Sequence, residues 1–137
     1  MDTDDGSDMF NATANVMLYA DLWKADFGGH SKTYSKNVNI LGRGCGPGSK
    51  PPRVLAYDPD VFIGNQCIGS GTEVTDCESS TTAVMHDNMY YIEGGNNSAV
   101  CPNKSATGLE HGSKWLPLPD NATIIKMARE ALGMPSP

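Results

Sequence analysis

The sequence predicts an all-β chain: a parallel β-helix, or solenoid, of about four to five coils with a C-terminal amphipathic capping helix. Three observations predict it. Short strand-like runs recur every 20-odd residues, an Asn stands just before the apolar residue in three of four runs, and the last stretch alone carries helical periodicity.

The runs are residues 15–19, 37–41, 60–63 and 86–92, marked by Val16, Val38, Val61 and Met89 at intervals of 22, 23 and 28. One short strand per interval is what stacked coils produce, each strand lying beside its predecessor in a parallel sheet. Asn residues at like positions are then expected to stack in a hydrogen-bonded ladder. A β-sandwich is the alternative, but its strands recur every 8–12 residues or so. The gaps here are longer and hold Gly, Pro and charge.

The segments between the runs read as loops. Residues 42–53 mix glycines and prolines with Arg43, Lys50 and Arg53, the most basic stretch of the chain. Prolines stiffen such a loop and glycines free it. Residues 66–77 read as a hairpin or loop that a Cys67–Cys77 bridge would close, although either cysteine has other candidate partners. Residues 1–111 therefore form the coils, 112–119 an extended linker, and 120–133 the helix. Asp120 is the expected N-cap and Gly133 the residue past the C-terminus, with Pro135 beyond. Ile124, Ile125, Ala128, Ala131 and Leu132 fall on one face. Such a helix suits the role of covering an open end of the stack, where strand edges need protection.

A length of 137 residues fits one domain, and 39% apolar residues with 15 Gly and 9 Pro describe a loop-rich globular chain. The net charge of -6 and pI near 4.8 argue against nucleic acid or an anionic membrane as the main partner. No apolar stretch is long enough to span a bilayer. Cys45, Cys67, Cys77 and Cys101 are even in number and lack paired zinc spacing, so disulfides are expected, with three possible connectivities. Sequons at Asn11, Asn96, Asn103 and Asn121 agree with a secreted, extracellular glycoprotein. Met1 is followed by Asp2, Asp4 and Asp5 rather than by a basic residue and an apolar run. The chain is thus expected to be the tail of a longer secreted polypeptide.

Two stretches hold the candidate chemistry. Lys24, Asp26, His30 and Lys32 surround the pair Gly28–Gly29, whose freedom lets Asp26 and His30 converge. The alternative is a surface turn with solvated charges. Residues 2–8 carry four aspartates, and Asp4 and Asp5 are candidate ligands for a hard cation such as calcium. A His86–Asp87 pair is expected to point to opposite faces of its strand and so to form no dyad. His111 reads as a surface residue. Trp23, Tyr34 and Trp115 suit either sugar stacking or buried packing.

Four stretches together carry a resemblance: residues 4–7, 24–30, 86–91 and 117–125, the last running into the closing helix. With them the chain resembles the C-terminal part of secreted right-handed parallel β-helix proteins of the pectate-lyase-like superfamily. The resemblance implies three parallel sheets wound into a coil and a carbohydrate-facing groove along one side. It also implies an acidic polysaccharide as partner, and lyase, epimerase or hydrolase chemistry. Removing the proton alpha to a uronate carboxylate needs a base and positive charge to hold the resulting enolate. Lys24 or His30 is the candidate base, with Asp26 and the N-terminal aspartates orienting a partner or holding a cation. Arg43, Arg53 and Trp23 are candidates for holding the substrate. A hydrolase would instead use Asp5 with Asp26, 21 residues or about one coil apart. The rival is a non-catalytic structural, matrix or filament subunit that assembles with other chains, which would complete the solenoid.

Overall fold

A computed structural model describes residues 9–20, 22–24, 31–42, 45–47, 60–69, 83–95 and 111–135, with 22–24, 45–47 and 83 described by backbone alone. Its strands are β1 (Asn11–Thr13), β2 (Val16–Leu18), β3 (Leu22–Lys24), β4 (Thr33–Ser35), β5 (Val38–Ile40) and β6 (Cys45–Pro47). There follow β7 (Asp60–Ile63), β8 (Gln66–Ile68), β9 (Ala83–His86), β10 (Met89–Ile92) and β11 (Lys114–Pro117), then helix α1 (Asn121–Ala131).

One two-residue corner organises the strands. Ala14, between β1 and β2, has φ +56°, in the left-handed region, and Asn15 follows it. Lys36–Asn37, Gly64–Asn65 and Asp87–Asn88 repeat this corner, with φ of +55°, +64° and +57° at the first residue. Gly112, φ +73°, leads into Ser113 and β11 in the same way. Three of these five positions are not glycine, although a left-handed residue with a Cβ costs about 1–2 kcal/mol. The Asn that follows offsets that cost.

Each corner Asn turns inward onto the next. Oδ1 of Asn37 accepts from the backbone N and from Nδ2 of Asn15, both at 3.0 Å, while its own Nδ2 donates to Oδ1 of Asn65 and to the carbonyl of Ala12. Asn65 repeats the pattern with Asn88 and the carbonyl of Tyr34. Asn88 donates to the Phe62 carbonyl, and its backbone N to Oγ of Ser113 at 2.9 Å. Asn37 and Asn65 thus use both amide hydrogens and both acceptor sites of Oδ1, which removes the penalty for burying an amide. The expected ladder is present.

The described chain is mostly β, in parallel sheets, with one C-terminal helix. The first sheet runs β1-β4-β7-β9 and the second β2-β5-β8-β10-β11, while β3 pairs with β6. Every pairing is parallel and in register. From β1 to β8 the described strands fall to the three sheets in turn, and β9, β10 and β11 extend the first two. Between the first two sheets lies the core. Ala12, Tyr34, Phe62 and Met85 stand in one column, with the Tyr34 and Phe62 rings stacked at 4.6 Å. Met17, Asn39, Cys67, Tyr90 and Trp115 form the facing column, with the last two rings 5.2 Å apart. Each large apolar side chain buried here contributes about 1.5–3 kcal/mol. Cys67 carries no free thiol, and its partner is not among the described side chains.

Several expectations change. Residues 60–63 belong to the first sheet, whereas the runs holding Val16 and Val38 belong to the second, where Asn65–Gln66 takes the equivalent place. Residues 86–92 are two strands parted by a corner, because Asp87 is left-handed. Gln66–Ile68 is a strand of a parallel sheet and not one arm of a hairpin. The stretch 112–119 is extended as expected, but it contributes β11 to the second sheet.

Helix α1 has the expected ends: Asp120 accepts from the Thr123 N–H at 2.7 Å, and Gly133 follows the last turn at φ +67°. Its place differs. The helix lies on the outer face of the second sheet, where Ile124 packs with Val38, Ile40 and Ile68, and Met127 and Ala128 pack beside it. That outer face is apolar at alternate strand positions, so it needed a cover more than the strand edges did. Ile125 and Leu132, expected on the buried face, are 58% and 59% exposed.

Candidate functional site

Most of the candidate site residues lie outside what is described. Asp4, Asp5, Asp26, His30, Arg43, Arg53, Cys77, Asn96, Cys101 and Asn103 fall outside the described residues. Trp23, Lys24 and Cys45 are placed by backbone alone: Trp23 is in register with Gly46, Lys24 with Pro47 and Leu22 with Cys45. Asn11 and Asn121 are exposed, as glycan acceptors must be. Tyr34 is fully buried against Phe62, and Trp115 is half-buried on Tyr90, so both serve packing.

What the structure does place is the far end of the Lys24–His30 stretch. Lys32 and Asp60 sit on adjacent strand entries, 0% and 1% exposed, and the Lys32 backbone N–H donates to Oδ1 of Asp60 at 3.0 Å. Both make further interactions. Charges this deep persist only with partners, and the pair fixes the entry into β4. Lys32 was legible as part of the polar set. Asp60 was not, because it reads as the polar start of an ordinary strand.

A second cluster lies at the corner after β9. His86 Nδ1 is 2.8 Å from Oδ2 of Asp87, and His86 makes an isolated parallel bridge to His111, which precedes β11. Strand alternation predicted that His86 and Asp87 would diverge. The left-handed Asp87 breaks that alternation and turns its carboxylate back. A Cβ at Gly112 would run into the Asp87 carboxylate, so glycine at that position leaves room for the pair. A carboxylate on Nδ1 leaves Nε2 as the proton-accepting end, the arrangement of a general base. The signal for it was the Asp-Asn pair itself, which matches Ala14–Asn15 and Lys36–Asn37.

Two open grooves flank α1. One, of about 430 Å³, is lined by Leu18, Tyr19, Leu41, Ile125 and Leu132 among others. The other is more polar, with Asn15, Lys36, Gln66 and Glu130. Neither adjoins the His86 corner. Among the described residues no group of three His, Cys, Asp or Glu is placed to hold a metal, and no helix is long and apolar enough to cross a membrane. The calcium expectation at Asp4 and Asp5 lies outside the described residues. No family model, curated protein or solved structure matches the chain.

Proposed function

We propose that this chain is part of a right-handed parallel β-helix of the pectate-lyase-like kind, and that it binds or acts on an acidic polysaccharide outside the cell. The rotation through three parallel sheets supports the solenoid, since parallel crossovers are right-handed in nearly all proteins. Exposed Asn11 and Asn121, and the absence of a free cysteine among the described residues, agree with secretion.

One observation carries the functional reading. The Lys24 position lies in the third sheet, β3-β6, and eight residues further on Lys32 is buried and bonded to Asp60. The Lys24 backbone is paired with Pro47, a held position of the kind a catalytic or binding group needs. Lys24 or His30 takes the proton alpha to a uronate carboxylate, Arg43 and Arg53 hold that carboxylate, and Trp23 stacks on the sugar ring. Asp4 and Asp5 hold calcium where the substrate requires it.

The test is turnover and binding by the glycosylated protein on a panel of uronate polysaccharides, with and without calcium. Unsaturated ends report a lyase, reducing ends a hydrolase, and proton NMR an epimerase. The expected result is turnover or saturable binding that Lys24→Ala or His30→Ala abolishes while the melting temperature holds. Folded protein that neither binds nor turns over any of the panel overturns the reading. It would leave the non-catalytic subunit, which exposed apolar residues in and beside β1 and β2 favour: Met9 at 79%, Leu18 at 59% and Tyr19 at 75%.

A further inference from the structure

One column on the outer face of the first sheet ends in two histidines. Thr13, Ser35, Ile63 and His86 are its successive members, and the single parallel bridge from His86 adds His111. The strand neighbours Ala12, Tyr34, Phe62 and Met85 are buried in the core, so this column faces outward. Side chains of one column leave a parallel sheet together. Thr13 and Ser35 show how close they come, with their hydroxyls 3.0 Å apart. The same register sets the two imidazoles side by side, on backbones about 4.7–4.9 Å apart.

The backbone around the pair is held in place. The His86 carbonyl accepts from the Gly64 N–H at 3.2 Å, and the Asp87 N–H donates to the His111 carbonyl at 2.9 Å. The Lys114 N–H donates to the Asn88 carbonyl at 2.8 Å. Left-handed Asp87 turns one carboxylate oxygen onto Nδ1 of His86 at 2.8 Å, and the other lies over Gly112 where a Cβ would stand. An ionised carboxylate only accepts, so in the neutral ring Nδ1 holds the proton and Nε2 the lone pair.

We propose that His86 and His111 bind a late first-row divalent ion, zinc or copper(II), through one ring nitrogen each, with water completing the shell. Asp87 is the positioning residue. A ligating histidine commonly gives its other ring N–H to a carboxylate, which fixes the tautomer and raises the basicity of the ligating nitrogen. Imidazole nitrogens select these ions, whereas calcium and magnesium take oxygen ligands. The chain supplies two ligating groups here and not three, because the Asp87 carboxylate is engaged from behind on His86. Both rings are within reach of solvent: the His86 side chain is 33% exposed, and His111 is exposed. Bound there, the ion ties residue 111 to β9, where the described first sheet offers a single bridge. The site is independent of the polysaccharide reading and of calcium at Asp4 and Asp5.

Calorimetric titration of the chelator-stripped, glycosylated chain with zinc chloride, and separately with copper(II) chloride, tests it. Saturable binding of one ion per chain is expected, tighter for copper than for zinc, with a melting temperature that rises as either ion is added. His86→Gln and His111→Gln should each abolish both effects. Asp87→Asn should weaken binding about 10–100-fold at unchanged stoichiometry. The chain has three histidines, and His30→Gln should bind as wild type does. Proton NMR of the unaltered chain needs no variant: zinc should shift the imidazole signals of His86 and His111 and leave that of His30 in place. Three results would overturn the proposal. They are folded wild type that binds neither ion saturably, binding that survives either His86→Gln or His111→Gln undiminished, and zinc shifts confined to His30.

Discussion

Asn37 concentrates the argument at the scale of a single residue. It is fully buried, and its side chain closes four hydrogen bonds that reach Ala12, Asn15 and Asn65. Removing the amide strands the Asn15 donors and the Ala12 carbonyl together. Asn37→Ala is expected to cost about 2–4 kcal/mol in chemical denaturation, from several buried groups left without partners. Asn37→Ser should cost less, since Ser113 already accepts from Asn88 at the last corner. Equal losses in the two variants would mean that the ladder is not what the amide supports. This part of the fold was legible, because Asn15, Asn37 and Asn88 each stand before an apolar residue. Asn65 was missed for a physical reason: Gln66 behind it is polar, whereas Val61 close by carries the apolar mark of a strand. The His86–Asp87 contact was missed because strand alternation was applied across a residue that is not extended.

At the scale of the element, α1 shows what periodicity settles and what it leaves open. The capping residues and both ends followed from Asp120 and Gly133, since those rules are local. Which of two neighbouring isoleucines faces inward depends on the surface beneath, and the sequence of the helix does not contain that surface. Ile124→Ala is expected to lower stability by about 2–4 kcal/mol, as a buried contact with Val38, Ile40 and Ile68 is lost. Ile125→Ala should stay close to wild type in the same thermal melt. Asp120 adds a pH dependence. The Thr123 backbone N–H, then its hydroxyl, hold the Asp120 carboxyl below its ordinary range. A lowered folded-state value means that the capping contribution is complete above the ordinary aspartate range and is lost as pH falls through the lowered one. Helix signal by circular dichroism should therefore fall in strong acid, and Asp120→Asn should flatten that fall. A fall of unchanged size in Asp120→Asn would remove the cap as its cause.

For the whole molecule, the interval between corners is the governing quantity. Corner residues Asn15, Asn37, Asn65, Asn88 and Ser113 are 22, 28, 23 and 25 apart, and the strands keep register across these differences. That elasticity explains why recurrence was visible in the sequence while its exact members were not. It also explains why the candidate chemistry was less legible than the architecture. Corners and strands repeat, so each supports the reading of the others, whereas Lys24, Asp26 and His30 occur once. The corners stack as successive rungs, and spin labels measure that directly. Placed in pairs at the exposed positions Ala14, Lys36 and Asp87, labels should report separations that grow by about 4.7–4.9 Å of backbone per rung. Ala14–Lys36 is one rung, Lys36–Asp87 two, and Ala14–Asp87 three. Distances rising in that order would confirm the stack. An Ala14–Asp87 distance no longer than that of Ala14–Lys36 would contradict it.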